Sequence, residues 1–546
     1  MALFKRVRNA QIRAASGCDS SNNRYQDRSF QTYRVDSRVF WRQSGTIPYV
    51  LFLTPAGGQD NAATMVDLRP VGYVIGLLVA SLGITMLGPL AADLLAGNGY
   101  WLVFFESAVV TIVTGGLIAL ACANGVTQRL TLRQTFLMTS LVWLTLPVFG
   151  AIPFVLGATE ANFTDAFFEA MSGLTTTGAT VFGNLEELPD GLKLWRGILQ
   201  WLGGVGIIVV AMVFLPELRV GGMQIFRSEG FDTSGKILPR AGQIATSISF
   251  IYVGLTIAAI VAYSATGMAG FDAVVHAMTT VSTGGMANYD ASFATFGPGV
   301  HYVAVVFMIL AALPFVRFVQ LMAGTAQPLF KDRQIQVFLM IVIVCVLLIT
   351  SWLWGRSGAM TERGFRDALF NVTSIMTGTG YASANYMTWG TFPVVMFFLI
   401  GLIGGCAGST SCSVKVFRYQ LVFAAIKSQI RQIHSPHGVF TPRYDGRPIS
   451  EDVLNSVIAF LVAFILSLGG TAVLLGLTGL DFITSVSGAA AAIANIGPGL
   501  GLEIGPAGNY ANINETAKWI LAIAMFVGRL EIMVVLTILS IKFWRP

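Results

Sequence analysis

One short pattern, which occurs four times, decides the fold of this 546-residue chain. Residues 164–180 read TDAFFEAMSGLTTTGAT, and the pattern returns as FDAVVHAMTTVSTGGMA at 271–287, RDALFNVTSIMTGTGYA at 366–382 and ITSVSGAAAAIANIGPG at 483–499. Each copy is a short apolar segment that ends in a small-residue turn. The same position of every turn is a glycine: Gly178, Gly285, Gly380 and Gly497. Four copies predict four quarters around one axis, where glycine lets the backbone turn its carbonyls inward.

The composition is that of a membrane protein. Hydrophobic residues make up 54% of the chain and charged residues only 11%, and the mean hydropathy is +0.69. A soluble domain carries about 25% charged residues. The net charge of +6 then reflects membrane topology rather than nucleic-acid binding, so no nucleic-acid partner is expected.

The chemistry-bearing residue types argue against an enzyme. The five cysteines form no C-x-x-C pair and no Cys/His cluster, which excludes a disulfide framework and a zinc site. We find no nucleophile–base set, no glycine-rich phosphate loop and no cofactor motif, so neither an enzymatic activity nor a cofactor is predicted.

Apolar stretches predict ten membrane-spanning segments, and the four copies lie between them as segments of about 13–15 residues. Such segments are too short to span and are typical of re-entrant half-helices. The prediction is an all-α membrane protein with four pseudo-repeats of outer helix, re-entrant half-helix with its turn, and inner helix around one pore. Its divisions are a basic, unstructured cytoplasmic tail at 1–65, a two-helix prefix at 66–123, and repeats at 134–216, 243–325, 335–425 and 451–543. The predicted spans lie near 70–96, 100–123, 134–157, 195–216, 243–266, 300–325, 335–355, 391–425, 451–476 and 515–543.

Lys and Arg residues indicate the orientation. They concentrate in alternate loops, whereas the intervening loops carry acidic residues such as Glu186, Asp290 and Glu503. The positive-inside rule therefore places both termini in the cytoplasm and lets the half-helices enter from outside.

The turns carry the oxygen atoms that a dehydrated cation needs. Such an ion takes about six to eight oxygens, and backbone carbonyls supply them without fixed charge. The predicted selectivity filter consists of Thr176, Thr177, Gly178, Thr283, Gly284, Gly285, Gly378, Thr379, Gly380, Asn495, Ile496 and Gly497. Within it, K⁺ is expected at Thr176, Thr177, Thr283, Gly284, Gly378, Thr379, Asn495 and Ile496.

The turn motifs TTTGAT (175–180), STGGM (282–286), TGTGY (377–381) and NIGPGLG (495–501) resemble those of the Trk/Ktr/HKT superfamily of potassium transporters, most closely its bacterial Trk-type membrane subunits of the TrkH/TrkG group. The resemblance covers about residues 70–546. It implies K⁺ uptake across the bacterial cytoplasmic membrane through a channel-like pore. The alternative is a Na⁺- or H⁺-coupled K⁺ symporter or another cation-coupled secondary transporter. It also implies a homodimer and a separate cytoplasmic nucleotide-binding ring of the TrkA type, which would dock on loops 217–242, 326–336 and 427–450.

A second motif, GLIGGCAGSTSCSVKVFR at 401–418, would break the eighth span, since each glycine costs a helix about 1 kcal/mol. In the resembled family this segment is an intramembrane gating loop, here with Ser411-Cys412-Ser413 in place of three glycines. The alternative is close helix packing through small residues. The predicted gate consists of Gly404, Gly405, Gly408, Ser409, Thr410 and Arg529.

Several polar residues within apolar segments have two interpretations. In the family, Arg529 contacts the loop; the alternative is a structural ion pair, which Glu531 cannot supply because residues two apart face differently. Glu169, His276 and Asn371 share one position of three half-helices, where they either tune the pore field or, as we prefer, hydrogen-bond nearby backbone. Trp195 and Arg196 are interpreted as an anchor at the membrane interface.

Overall fold

The computed structural model describes residues 67–125, 130–209 and 241–545, with side chains omitted at 209 and 241–244. The predicted tail at 1–65 lies outside the described residues. Six described helices are long and apolar enough to cross a membrane, and they agree with the predicted spans to within a few residues: Arg69–Ala96, Trp101–Gly125, Leu132–Leu156, Ala245–Ala265, Arg333–Ser357 and Glu451–Leu477.

The two-helix prefix is held together by glycines. The first span consists of α1 (Arg69–Thr85) and α2 (Leu87–Ala96), and α3 (Trp101–Cys122) follows it. A Cβ on Gly76 would lie 2.7 Å from the carbonyl oxygen of Gly115, and the reverse distance is also 2.7 Å. Small residues therefore let these two backbones touch, which is how membrane helices gain packing contacts without a hydrophobic driving force.

The first quarter follows the prefix. Its outer helix, α4 (Leu132–Gly150), begins with a capping box between Thr131 and Gln134 and continues after a break as α5 (Ile152–Leu156). The half-helix α6 (Phe163–Leu174) and the inner helix α7 (Asp190–Val209) come next.

The other quarters repeat this order. The second contains α8 (Ala241–Ala265), α9 (Gly270–Val281), α10 (Pro298–Ala311), α11 (Phe315–Met322) and α12 (Gln327–Lys331). The third contains α13 (Arg333–Ser357), α14 (Glu362–Thr377), α15 (Thr391–Gly401) and α16 (Val416–His434). The hairpin β1 (Arg443–Tyr444) and β2 (Arg447–Pro448) precedes the fourth, which contains α17 (Glu451–Leu477), α18 (Phe482–Ala494), α19 (Glu515–Arg529), α20 (Ile532–Leu539) and α21 (Ile541–Trp544).

The half-helices α6, α9, α14 and α18 contain 12, 12, 16 and 13 residues. At 1.5 Å per residue they reach about 18–24 Å, less than the roughly 30 Å of a bilayer core. These lengths agree with the predicted 13–15 residues to within one residue. Three of them begin at a side-chain cap, because Asn162, Thr361 and Asp481 each accept a backbone N–H of the first turn.

The prediction of continuous inner spans is wrong in the second and fourth quarters. The axes of α10 and α11 differ by 90°, and those of α19 and α20 by 105°. Hydropathy cannot detect these two breaks, because the segments stay apolar while their backbone groups find partners elsewhere in the fold. In the third quarter no helix joins α15 to α16, which confirms the break predicted from the small residues at 401–418.

Candidate functional site

The four glycine turns have related backbone conformations. The first turn is left-handed at Thr176 (φ 52°) and Gly178 (φ 85°), two residues apart. The second and third turns have the same spacing of left-handed residues, and the fourth has Asn495 at φ 52°. Gly497 lies outside the left-handed region, so its φ angle does not require a glycine. The close backbone approach described next does require one.

The turns meet in a closed ring. The glycine of each turn lies against the backbone of a neighbouring turn, so closely that a side chain would collide with it. A Cβ on Gly178 would lie 2.1 Å from the Gly284 oxygen, and a Cβ on Gly285 would lie 1.8 Å from the Thr379 oxygen. A Cβ on Gly380 would lie 3.0 Å from the Gly497 nitrogen, and a Cβ on Gly497 would lie 2.8 Å from the Gly178 oxygen. The first turn thus contacts the second, the second the third, the third the fourth and the fourth the first. The predicted filter residues are brought together.

Hydroxyl groups brace the turns from within. Thr175 and Thr177 share a hydrogen bond of 2.8 Å, and Thr377 and Thr379 share one of the same length in the third quarter. The amide nitrogen of Asn495 donates to the Thr177 hydroxyl at 3.0 Å and so links the fourth quarter to the first.

In three half-helices, the side chain at one shared position accepts a backbone N–H from the segment that follows the turn. The Glu169 carboxylate accepts the N–H of Val181 at 3.0 Å, and the Asn371 amide oxygen accepts that of Ser383 at 3.2 Å. The imidazole of His276 faces the N–H of Asn288 in the same way, at 3.4 Å. The preferred interpretation of these three side chains, bonding to nearby backbone, is confirmed.

The fourth quarter has Gly488 at this position and uses the preceding residue. The Ser487 hydroxyl accepts the N–H of Leu500 at 2.8 Å. In all four quarters the supported N–H belongs to the third residue after the filter glycine. Each turn is therefore held between its half-helix and the segment behind it.

Other supporting side chains were missed by sequence reasoning. Gln200 on α7 donates to the Gly284 oxygen at 2.6 Å and accepts the N–H of Met286 at 3.0 Å. Tyr510 donates to the Gly497 oxygen at 3.0 Å. A single polar residue on an apolar helix, such as Gln200, is the signal that could have identified this clamp, because a buried amide requires partners.

The interpretation of Trp195 and Arg196 as an interface anchor is wrong. Both are buried, and the Trp195 indole donates to the Gly150 oxygen at 2.9 Å. Arg196 pairs with Glu169 at 2.8 Å and donates to the Ala287 oxygen, also at 2.8 Å. Arg196 thereby joins the first two quarters. A buried charge requires both a counter-ion and hydrogen bonds, and this arginine has both.

The segment from Leu402 to Lys415 is an irregular buried loop beside the filter turns. Its two arms pair with each other, because Gly404 donates to the Val414 oxygen at 2.9 Å and Val416 to the Gly405 oxygen at 3.2 Å. A Cβ on Gly404 would lie 1.9 Å from the Cys412 oxygen, so the close approach of the two arms of the loop requires glycine there.

The loop fills the break between α10 and α11. Cys406 donates to the Ala312 oxygen at 3.0 Å, and Phe315 donates to the Gly408 oxygen at 2.9 Å. The Thr410 hydroxyl donates to the Ala311 oxygen at 3.0 Å. Backbone groups that the helix break releases are therefore satisfied by the loop, and the predicted gate residues lie together.

Ser411, Cys412 and Ser413 form the tip of the loop. The Ser411 hydroxyl accepts the N–H of Gly405 at 2.7 Å, and the Ser413 hydroxyl donates to the Gly401 oxygen at 3.0 Å. Ser413 is left-handed at φ 62°, which is uncommon for a residue with a side chain. The Cys412 sulfur lies 3.7 Å from the Thr176 hydroxyl of the filter. These side chains hold the loop together and place Cys412 against the first glycine turn.

Arg529 joins the fourth quarter to this loop. Its guanidinium is buried, donates to the Gly203 oxygen at 3.0 Å and contacts the Cys412 thiol. Its carbon Cζ lies 5.4 Å from the ring centre of Trp143. Glu531, which the sequence excluded as its partner, instead pairs with the buried Arg418.

Two inner helices approach their half-helices at equivalent positions. A Cβ on Gly203 would meet the Leu174 oxygen at 1.9 Å, and one on Gly528 would meet the Ile493 oxygen at 2.2 Å. Both contacts lie four residues before a turn glycine, so Gly203 is the counterpart of Gly528.

Among the described residues, no group of three or more His, Cys, Asp or Glu side chains is arranged to hold a metal ion. The oxygens around the ring belong to backbone carbonyls and hydroxyls. Such groups suit a weakly held monovalent cation better than a resident metal.

This arrangement of apolar helices and half-helices is that of a membrane protein of the cation-transport class. The profile of a family described as TrkH, cation transport protein, matches residues 102–545. The chain belongs to the TrkH family, which is a family of transporters and not of enzymes.

Relatives with assigned names cover nearly the whole chain. The Trk system potassium uptake protein TrkI of Halomonas elongata is 42% identical over 482 residues, covering 87% of this chain and 97% of its own. TrkH of Escherichia coli is 33% identical over 486 residues, covering 87% and 99%. The crystal structure of the potassium transporter TrkH from Vibrio parahaemolyticus superposes with a TM-score of 0.80 at 32% identity, covering 88% of this chain and all of that one.

Proposed function

We propose that this chain takes up K⁺ across the bacterial cytoplasmic membrane through a channel-like pore. The observation that carries the proposal is the closed ring of four glycine turns, whose polar groups include carbonyl and hydroxyl oxygens. Relatives named as Trk system potassium uptake proteins support the choice of K⁺. The ion would be held at Thr176, Thr177, Thr283, Gly284, Gly378, Thr379, Asn495 and Ile496.

Selectivity would rest on how rigidly the ring is supported. Carbonyl oxygens discriminate between cations through their number and field, and these depend on the positions of the turns. Gly284 contributes less than its counterparts, because its oxygen already accepts the short bond from Gln200. The dipoles of the four half-helices, whose C-terminal ends meet the turns, would favour a cation there.

The gate would be the loop at Leu402–Lys415 together with Arg529. The loop lies against the filter through Cys412, and a guanidinium near the ion path opposes a cation strongly because the local dielectric is low. Opening would require the loop to leave the break between α10 and α11.

The assembly belongs to the same proposal. Both termini would be cytoplasmic, two copies would form a homodimer, and a TrkA-type nucleotide-binding ring would dock on the basic loops. Of these, 326–336 and 427–450 are described, whereas most of 217–242 lies outside the described residues. No transported or bound group other than K⁺ is required.

Flux into proteoliposomes tests the function. We expect ⁸⁶Rb⁺ uptake driven by a K⁺ gradient alone, in the absence of Na⁺ and of a pH gradient, because a pore needs no coupling ion. Flux that appears only with Na⁺ or with a proton gradient would instead support the symport alternative. Absence of Rb⁺ flux under every gradient, in well-folded protein, would overturn the proposal.

A further inference from the structure

The two sharply bent inner helices are held in that shape by different means. In the second quarter Pro314 stands at the start of α11. A proline cannot lie inside a continuous helix without breaking it, because it has no N–H and its ring collides with the preceding turn. The neighbouring N–H of Phe315 also bonds to the loop. The sequence itself therefore fixes this break.

The break in the fourth quarter has no proline. Residues 526–536 read FVGRLEIMVVL, and apart from Gly528 each of them is tolerated inside a helix at little cost. The axes of α19 and α20 nevertheless differ by 105°. A break that the local sequence does not demand must be held by tertiary contacts.

Glu531 is the residue at which this chain segment turns. Its backbone lies at φ 61°, a conformation that is strained for a residue with a side chain. It directly precedes α20, yet its side chain accepts no N–H from the first turn of that helix, as a capping side chain would. The side chain therefore does not stabilise the turn locally.

The Glu531 carboxylate pairs instead with the guanidinium of Arg418 on α16. The Arg418 side chain is 1% exposed, and its Cζ lies 3.7 Å from the ring centre of Phe460 on α17. A guanidinium that an aromatic ring covers is a rigid partner for a carboxylate. Two helices outside α19 and α20 thus anchor the strained residue, and the loss of one member of such a buried pair is strongly destabilising.

We infer that Glu531 is a positioning residue for Arg529: its ion pair with Arg418 keeps the break between α19 and α20, and the break keeps the Arg529 guanidinium against the loop. Arg529 is the last residue of α19, two positions before Glu531. Without the pair, strain would return Glu531 to the helical region, α20 would rejoin α19, and Arg529 would leave Gly203 and Cys412. This inference rests on the gate of the proposed function.

The structure has room for this movement. A cavity of about 50 Å³ is lined by residues that include Cys412, Arg418, Arg529 and Glu531. The Arg529 guanidinium bonds to the Gly203 oxygen and the Cys412 thiol, whereas its buried Nε has no hydrogen-bond partner among the described residues. Arg529 is therefore held by few bonds, and the geometry of the helix break decides where it lies.

The test compares ⁸⁶Rb⁺ flux per molecule in proteoliposomes for Glu531→Ala and Glu531→Gly. Both variants lose the ion pair, but only alanine keeps the strained Cβ. Alanine should raise flux about tenfold, because the buried pair no longer holds the break. Glycine should raise it only about twofold, because it adopts the left-handed conformation without strain and leaves the break in place. A merely structural role predicts the reverse order, since glycine is the more flexible residue.

An Arg529→Gln background shows whether the effect acts through the guanidinium. There Glu531→Ala should add less than about twofold, because the group that Glu531 positions is already gone. Glu531→Gln keeps an acceptor for Arg418 and carries the same test if the alanine variant folds poorly. It should raise flux about threefold alone and add nothing to Arg529→Gln. Glu451→Ala, which removes an exposed carboxylate at the start of α17, is the matched control and should leave flux unchanged.

Unchanged or lower flux in well-folded Glu531→Ala and Glu531→Gln proteins would overturn the inference. A larger rise with glycine than with alanine would also overturn it, as would effects that add fully to that of Arg529→Gln. Unchanged flux in Arg529→Gln alone would count against the proposed gate, and absence of Rb⁺ flux in the unaltered chain would count against the proposed function.

Discussion

At Gly285, a methyl group would stand 1.8 Å from the Thr379 carbonyl oxygen of the neighbouring turn. The residue is also left-handed, at φ 78°, where a side chain costs about 1–2 kcal/mol. Two independent constraints thus require glycine at this point of the ring. At Gly497 only the close approach applies, so the same residue type serves two different physical needs.

Replacement of Gly285 by alanine should reduce Rb⁺ flux roughly tenfold or more, or relax the K⁺/Na⁺ preference, because the third turn must move away. Flux per molecule in proteoliposomes, normalised to protein, measures the effect. Gly469→Ala is the matched control, since a Cβ on Gly469 in α17 would meet nothing within 4 Å. Equal flux and preference in both variants would contradict the filter assignment.

At the scale of elements, the loop at Leu402–Lys415 couples two quarters of the protein. It satisfies the backbone groups of the α10–α11 break and reaches Arg529 at the end of α19. The seryl hydroxyls of Ser411 and Ser413 add two hydrogen bonds that glycines could not make. The loop in this chain is therefore tied down by its own side chains.

Ser411→Gly together with Ser413→Gly should open the loop more readily and raise flux several-fold, because each lost hydrogen bond is worth about 1 kcal/mol. Arg529→Gln, which removes the charge and keeps a donor for Gly203, should act in the same direction. The combined effect should be less than additive, since both changes remove one barrier. Flux per molecule is again the measurement.

Arg529→Lys and Ser435→Gly are the controls for this prediction. The first keeps the positive charge, and the second removes an exposed serine outside the loop. A well-folded Arg529→Gln protein whose flux is unchanged or lower would exclude a barrier role for the guanidinium.

At the scale of the whole molecule, the quarters are joined by contacts that cross between them. Asn495 reaches Thr177, Arg196 reaches the Ala287 carbonyl, and the prefix is fastened by Asp93, whose buried carboxylate accepts the N–H of Gly191 at 2.7 Å. This last bond caps the start of α7, where a helix N-terminus favours a negative charge.

Orientation in the membrane is the prediction that belongs to this scale. Leu502→Cys should react with a membrane-impermeant maleimide on intact cells, and Ser435→Cys should react only after permeabilisation, because the Lys/Arg excess places 427–450 inside. Both positions are exposed in the structure. The unaltered chain is the control for native cysteines, and labelling of Ser435→Cys on intact cells would contradict the topology.

The sequence by itself determined the membrane class, the six long spans, the four half-helices and the glycines of the turns. These follow from local properties: hydropathy, segment length and a motif that is repeated about every hundred residues. The supporting position at Glu169, His276 and Asn371 could also be read from the repeat.

The tertiary structure alone decided the breaks in the inner helices of the second and fourth quarters, the clamp by Gln200 and the burial of the Arg196–Glu169 pair. It also decided that Gly203 and Gly528 are counterparts in their inner helices. Each depends on a partner from a distant quarter: the loop fills the α10–α11 break, and Gln200 meets a turn 84 residues further along the chain. Local pattern cannot specify such contacts, because a polar or charged side chain in an apolar segment shows only that a partner must exist, whereas packing selects which one it is.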